Sequence, residues 1–181
     1  MKLRVVELLI ITTVPAVVLA EGGFPSLSLL AWTLIGGTLA AGSANAFNMV
    51  IESERDKLMK RTSKRPLVTG AVSRIEATIF AIAIGVLSLL IFWAFTTPLA
   101  TLLTAIAIAY YVIIYTIALK PNTSQNIVWG GAAGAMPVTI GWAAVTGTVD
   151  LAAWVLFLVI FLWTPPHYWP LSMRYKEDYA N

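Results

Sequence analysis

Asn48, Glu52 and Asp56 stand four residues apart in the run Asn45-Ala46-Phe47-Asn48-Met49-Val50-Ile51-Glu52-Ser53-Glu54-Arg55-Asp56. On a helix this spacing turns each side chain about 40° from the one before, so all three project from one face within two turns. Two carboxylates and an amide carbonyl are all oxygen donors, a set that suits magnesium bridged to phosphate oxygens. Asn45, one turn earlier, extends the face inward. The basic run Lys57-Leu58-Met59-Lys60-Arg61-Thr62-Ser63-Lys64-Arg65-Pro66-Leu67 follows. Its cations can neutralise a diphosphate, with arginine forks matching the oxygens. Carboxylates beside cations suit a metal–diphosphate complex better than a bare anion. A diphosphate leaving an allylic carbon needs that electrostatic stabilisation. A mixed-charge loop can equally serve topology and contact with anionic lipid, with Glu54, Arg55, Lys57, Lys60 and Lys64 as a solvated face. Spacing alone leaves both readings open.

The surrounding elements are apolar. Of 181 residues, 59% are hydrophobic and 12% charged, against about 25% charged in a soluble domain. The fold class expected is all-α, a polytopic transmembrane bundle forming a single membrane domain over 1–181. Six hydrophobic segments run over about 5–20, 25–51, 74–96, 98–119, 125–147 and 151–173, with the site loop at 52–73. A helix crosses the hydrocarbon core in about 20 residues; segments two to six meet that, while the first is short and carries Glu7. All 12 basic residues lie before segment one, between two and three up to Arg74 at the start of three, between four and five, or after six. By the tendency of Lys and Arg to stay inside, both ends and the site loop are expected on the cytoplasmic side. Lys2 and Arg4 ahead of an apolar run ending Val-Leu-Ala would also suit a cleaved signal peptide. Glu7 sits awkwardly in such a core, so the segment is read as a retained helix, kinked or loosened at Pro15.

There is no cysteine and one histidine, His167, which excludes cysteine-ligated and multi-histidine metal sites. Further candidates share the basic side. Lys120 ends segment four after Tyr111 and Tyr115, and Asn126 starts segment five. Pro165-Pro166 is expected to break or kink segment six and expose His167, and Glu177 and Asp178 form a second acidic cluster. Ser73-Arg74-Ile75-Glu76 has the form of a capping box, which gives Glu76 a structural role, and Asn122-Thr123-Ser124 is read as a cap for segment five. Gly130-Gly131-Ala132-Ala133-Gly134-Ala135 is read as a close-packing surface; it lacks the Lys-Ser/Thr ending of a P-loop.

At these residues the chain resembles the UbiA-type membrane prenyltransferases, over Glu7–Gly23, Asn45–Gly70, Tyr115–Asp150 and Trp163–Tyr179. Pairing of the Asp56…Met59-x-Arg61-Thr62-x-x-Arg65-Pro66 run with Thr164-Pro165-Pro166-His167-Tyr168-Trp169 is similar to the branch that farnesylates haem. The resemblance implies transfer of a farnesyl group from farnesyl diphosphate, with Mg2+, to a vinyl group of protohaem IX (haem B), giving haem O for terminal oxidases. It implies that Asn48, Glu52 and Asp56 form the first acidic motif and the metal–diphosphate ligands, and that Lys120 joins them in catalysis. Arg61, Arg65, Lys120 and Asn126 would then bind diphosphate, and His167, Glu177 and Asp178 fall in the second motif region, with Asp178 as a further metal ligand. Two departures stand out: Glu52 replaces the Asp of many members, and Arg174 stands where a cleanly spaced acidic pair would be. The family has about nine helices, so about six are expected here, in the N-terminal two-thirds of a longer protein whose remaining helices complete the cavity. The implied partners are the lipid bilayer, without nucleic acid, and a haem A synthase or oxidase-assembly protein, in a bacterial or archaeal plasma membrane. A quinone or other aromatic acceptor, or a non-enzymatic transport or oxidase-assembly role, is the alternative.

Overall fold

The computed structural model describes residues 3–57 and 62–174, with the side chains of residues 3–6, 8 and 171–174 outside that description. The elements among the described residues are all helices, without a strand: α1 (Leu3–Glu21), α2 (Leu27–Ile51), α3 (Ser53–Asp56), α4 (Pro66–Thr69), α5 (Arg74–Phe95), α6 (Pro98–Ala109), a π-helical segment (Tyr110–Leu119), α7 (Asn126–Thr146) and α8 (Leu151–Arg174). Five helices are long and apolar enough to cross a membrane: Leu27–Ile51, Arg74–Phe95, Pro98–Leu119, Asn126–Thr146 and Leu151–Pro170; α1 contributes a shorter apolar stretch, Leu9–Glu21. The chain is a multi-pass integral membrane protein. Large apolar side chains such as Ile79, Leu90, Trp93, Leu158 and Leu162 cover its outside, where lipid replaces water as solvent.

The helix ends follow from local chemistry. Ser26 Oγ accepts the Leu29 N–H at the start of α2, and Thr97 Oγ1 accepts the Ala100 N–H, with Pro98 at the first turn of α6. The capping box at Ser73 is complete: Ser73 Oγ accepts from Glu76 N at 3.2 Å, and Glu76 Oε2 accepts from Ser73 N at 2.8 Å. The cap expected for α7 differs. Thr123 Oγ1 accepts only from Gln125 N, while Asn122 turns back and donates to the Ala118 carbonyl, closing the end of the preceding segment instead. Helix α1 runs uninterrupted past Pro15, and α8 runs past Pro165, Pro166 and Pro170. The proline pair therefore does not end the last helix, although His167 is exposed as expected.

Small residues and hydroxyls bring the helices together. Between α2 and α5, Ser43 Oγ donates to the Ala81 carbonyl at 2.8 Å and Ser88 Oγ to the Gly36 carbonyl at 2.7 Å. A Cβ at Gly36 would lie 2.8 Å from the Phe92 ring, so glycine is what permits this approach. The glycine run of α7 serves packing, as its composition suggests: a Cβ at Gly130 would meet the Tyr115 ring at 2.7 Å, and one at Gly131 would meet Thr164 at 3.0 Å. Helix α1 docks on α7, where Val17 and Thr13 are buried beside Gly141. At the end away from the basic loops, Thr97 Oγ1 donates to the Ala143 carbonyl at 2.7 Å, and Gly147 closes α7 with φ +69°.

Candidate active site

The face carrying Asn48, Glu52 and Asp56 survives an interruption of its helix. Helix α2 ends at Ile51 and Glu52 leaves helical geometry (φ −87°, ψ 1°), yet Glu52 N still donates to the Asn48 carbonyl at 3.0 Å and Asp56 N to the Glu52 carbonyl at 2.9 Å. The i, i+4, i+8 register is thus kept through α3. All three side chains are buried, with exposures of 6, 8 and 5%. Two carboxylates placed so are costly unless compensated, and each has its own cation. Lys120 Nζ lies 2.5 Å from Glu52 Oε1, and the Arg65 guanidinium donates to Asp56 Oδ2. Arg65 sits at the N-cap of α4, and Thr62 Oγ1 donates to the Asp56 carbonyl at 2.7 Å, folding the loop back over the end of α2.

The opposite wall is the π-helical segment. Asn48 Nδ2 donates to Thr116 Oγ1 at 3.2 Å, so Asn48–Thr116 and Glu52–Lys120 form two rungs between helices at matching four-residue spacings. Tyr111, partly buried, lies within electrostatic reach of Glu52, Arg65, Tyr115 and Tyr168, which brings α8 to the same corner. Tyr110 Oη donates to the Trp129 carbonyl, fastening the segment to α7.

Beyond this pocket Glu54, Arg55, Lys57 and Lys64 are exposed, while Lys60 lies outside the described residues. Glu54 pairs with Lys57 at 2.8 Å and with Arg74 at 3.7 Å. The Lys57 hydrogen bond and charge hold its carboxyl below the usual value, with Arg74 adding to the effect. Asn45 Nδ2 donates to the Ala41 carbonyl at 2.8 Å, one turn earlier on α2. Asn126 stands partly buried at the start of α7. His167 is exposed, stacked on Trp163 at 4.4 Å and edge-on to Tyr168 at 5.2 Å. Arg61, Glu177 and Asp178 lie outside the described residues. Sequence reasoning passed over Thr116, whose signal is its position four residues before Lys120, and the participation of Tyr111.

The donor set fits magnesium held jointly with phosphate oxygens. Glu52 and Asp56 each use one carboxylate oxygen in an ion pair, leaving the second, and Asn48 gives its nitrogen to Thr116, leaving its carbonyl. Among the described residues no three His, Asp or Glu side chains gather as a self-sufficient metal cage.

The UbiA prenyltransferase family profile matches residues 9–181. The chain belongs to the UbiA prenyltransferase family. Among curated UbiA relatives, protoheme IX farnesyltransferase of Paenarthrobacter aurescens (strain TC1) is 59% identical over 180 residues, covering 99% of this chain and 56% of the relative. The protein of the same name from Clavibacter sepedonicus is 56% identical over 180 residues, covering 99% and 59%. The chain thus spans 56–59% of the length of these UbiA relatives. The apo structure of a UbiA homolog from Aeropyrum pernix K1 superposes with a TM-score of 0.75 at 23% identity, over 91% of this chain and 61% of that one. The helical bundle is therefore the UbiA fold.

Proposed function

We propose that this chain carries the diphosphate half of a protohaem IX farnesyltransferase, which joins farnesyl from farnesyl diphosphate to a vinyl group of haem B. The single observation that carries the proposal is the buried Asn48–Glu52–Asp56 face with Lys120 and Arg65 already seated against its carboxylates. The names of the relatives support haem as the acceptor. In the reaction the C1–oxygen bond of farnesyl diphosphate breaks and diphosphate leaves. The terminal vinyl carbon bonds to C1, and water adds a hydroxyl to the neighbouring carbon with release of a proton, giving haem O.

When bound, Mg2+ supplies charge neutralisation of the diphosphate oxygens. Asn48 Oδ1 and the second oxygens of Glu52 and Asp56 are the atoms that would hold it. Lys120 and Arg65 neutralise the carboxylates now and have the reach to contact departing phosphate oxygens, with Arg61 and Asn126 as further diphosphate ligands. Excluding water from this corner strengthens each contact. His167, Glu177 and Asp178 belong to the second motif, which would flank the acceptor and, through Asp178, assist the metal. We assign the site loop and both ends of the chain to the cytoplasmic face of a plasma membrane, a reading supported by the distribution of Lys and Arg. The product calls for a haem A synthase or oxidase-assembly partner.

The test is expression of the chain, and of a chimera completing it with the remaining C-terminal stretch of the Paenarthrobacter aurescens relative, in a host lacking haem O. With Mg2+ and farnesyl diphosphate, the chimera is expected to convert haem B to a more hydrophobic haem on chromatography. Absence of that pigment while the intact relative makes it, or an Asp56→Ala chimera that works normally, would sink the proposal.

A further inference from the structure

Thr116 stands between the two helices that build the site, and its hydrogen bonds have a fixed direction. Its one hydroxyl proton is directed at the Tyr111 carbonyl, 2.9 Å away, five residues back. A carbonyl can only accept, so the Thr116 oxygen has only lone pairs left for Asn48. The group it meets at 3.2 Å must then be the Asn48 amide nitrogen, not the oxygen. Both side chains are buried, with exposures of 3 and 6%. Asn48 Oδ1 makes no other hydrogen bond among the described residues, so it is the amide atom left to the site.

The π geometry makes this possible. In an α-helix, residues five apart diverge by about 140°. Here the i→i+5 winding sets Thr116 beside the Tyr111 carbonyl, and Lys120 N likewise donates to the Tyr115 carbonyl at 2.9 Å. The segment is held in that form from both sides: by α7, through Tyr110 and the Tyr115 ring against Gly130, and by α2, through Asn48 and Glu52.

We propose that Thr116 is a positioning residue: through the Tyr111 carbonyl and its own hydroxyl it orients the Asn48 amide so that Oδ1 faces the magnesium–diphosphate complex. The inference rests on the metal–diphosphate reading of the site. Without the hydroxyl the amide is free to turn, and a nitrogen in place of Oδ1 repels a cation. Partners of this kind behind a metal ligand are worth about 10- to 100-fold in affinity.

The test is Mn2+ binding followed by electron paramagnetic resonance, with inorganic diphosphate present, on the full chain in nanodiscs. Thr116→Val is expected to weaken Mn2+ binding about tenfold, and Thr116→Ser to stay within about twofold of the unmodified chain. Thr116→Ala carries the same expectation as Val should the added methyl disturb folding. In an Asn48→Asp background the Val substitution is expected to cost less than about twofold, because a carboxylate presents an oxygen whichever way it turns. Unchanged Mn2+ affinity in Thr116→Val and Thr116→Ala, or an equal loss in both backgrounds, overturns the inference. Glu52→Gln and Asp56→Asn separate the two levels. If they abolish binding while Thr116→Val does not, only the role of Thr116 falls; if they too bind normally, the metal reading falls with it.

Discussion

The two ends of the candidate active site are built differently. Where α2 meets the π-helical segment, Asn48, Glu52 and Asp56 are buried and tied across elements: Asn48 to Thr116, Glu52 to Lys120, Asp56 to Arg65 and Thr62. On α8, His167 is exposed and its ring contacts come from Trp163 and Tyr168 of its own helix. Fixed, desolvated charge suits a group that must stabilise a leaving diphosphate without reorganising. Among the described residues, the contacts of the first end cross between elements, whereas those of the second stay within one helix.

The largest test of that contrast is Asp56→Asn in the completed chimera. It keeps the shape but removes the charge facing Arg65, and haem O formation is expected to fall by about 100-fold or more, measured by chromatography of extracted haem. A variant of near-normal rate would erase the distinction between the two ends. Next, Lys120→Met leaves Glu52 buried without its cation. Because Lys120 is one-third exposed, the cost is below that of a fully buried pair, about 1–3 kcal/mol of stability, read as a lowered unfolding midpoint in detergent. Recovery in a Lys120→Met, Glu52→Gln double variant would attribute the loss to that pair. His167→Ala, in turn, is expected to change stability by less than about 0.5 kcal/mol and to leave Mn2+ binding intact. Lost Mn2+ affinity would break the comparison, whereas lost transfer with intact binding would sharpen it by assigning α8 to the acceptor.

The smallest effect lies outside both ends. The Glu54 carboxyl is held below its usual value of 4.5, first by the Lys57 hydrogen bond and charge and then by Arg74. A depressed carboxyl lends stability that is full above 4.5 and lost as pH falls through its lower folded value. Glu54→Gln should therefore lower the unfolding midpoint slightly at pH 7 and not at all well below pH 4.5. An equal difference at both would show that the side chain acts through something other than its charge.

Sequence determined the membrane bundle and the shared face of Asn48, Glu52 and Asp56, because both rest on local periodicity. Uninterrupted apolar runs put the ends of Leu27–Ile51, Arg74–Phe95 and Asn126–Thr146 within two residues of expectation, and the four-residue spacing of Asn48, Glu52 and Asp56 needs only a helix. Cap and proline signals were less complete guides. Ser73 and Glu76 met as their spacing implies, but Asn122 served the helix before it, and Pro165-Pro166 did not end α8, whose tertiary contacts on α7 include Thr164 against Gly131. What only the tertiary structure decided is which side chains face that first motif. The π winding of Tyr110–Leu119 has no signature in an apolar run, yet it selects Thr116 and Lys120 as partners of residues 68 positions away. Spacing along one helix is a local property; the register of one helix against another depends on contacts from α2 and α7 acting on the segment together.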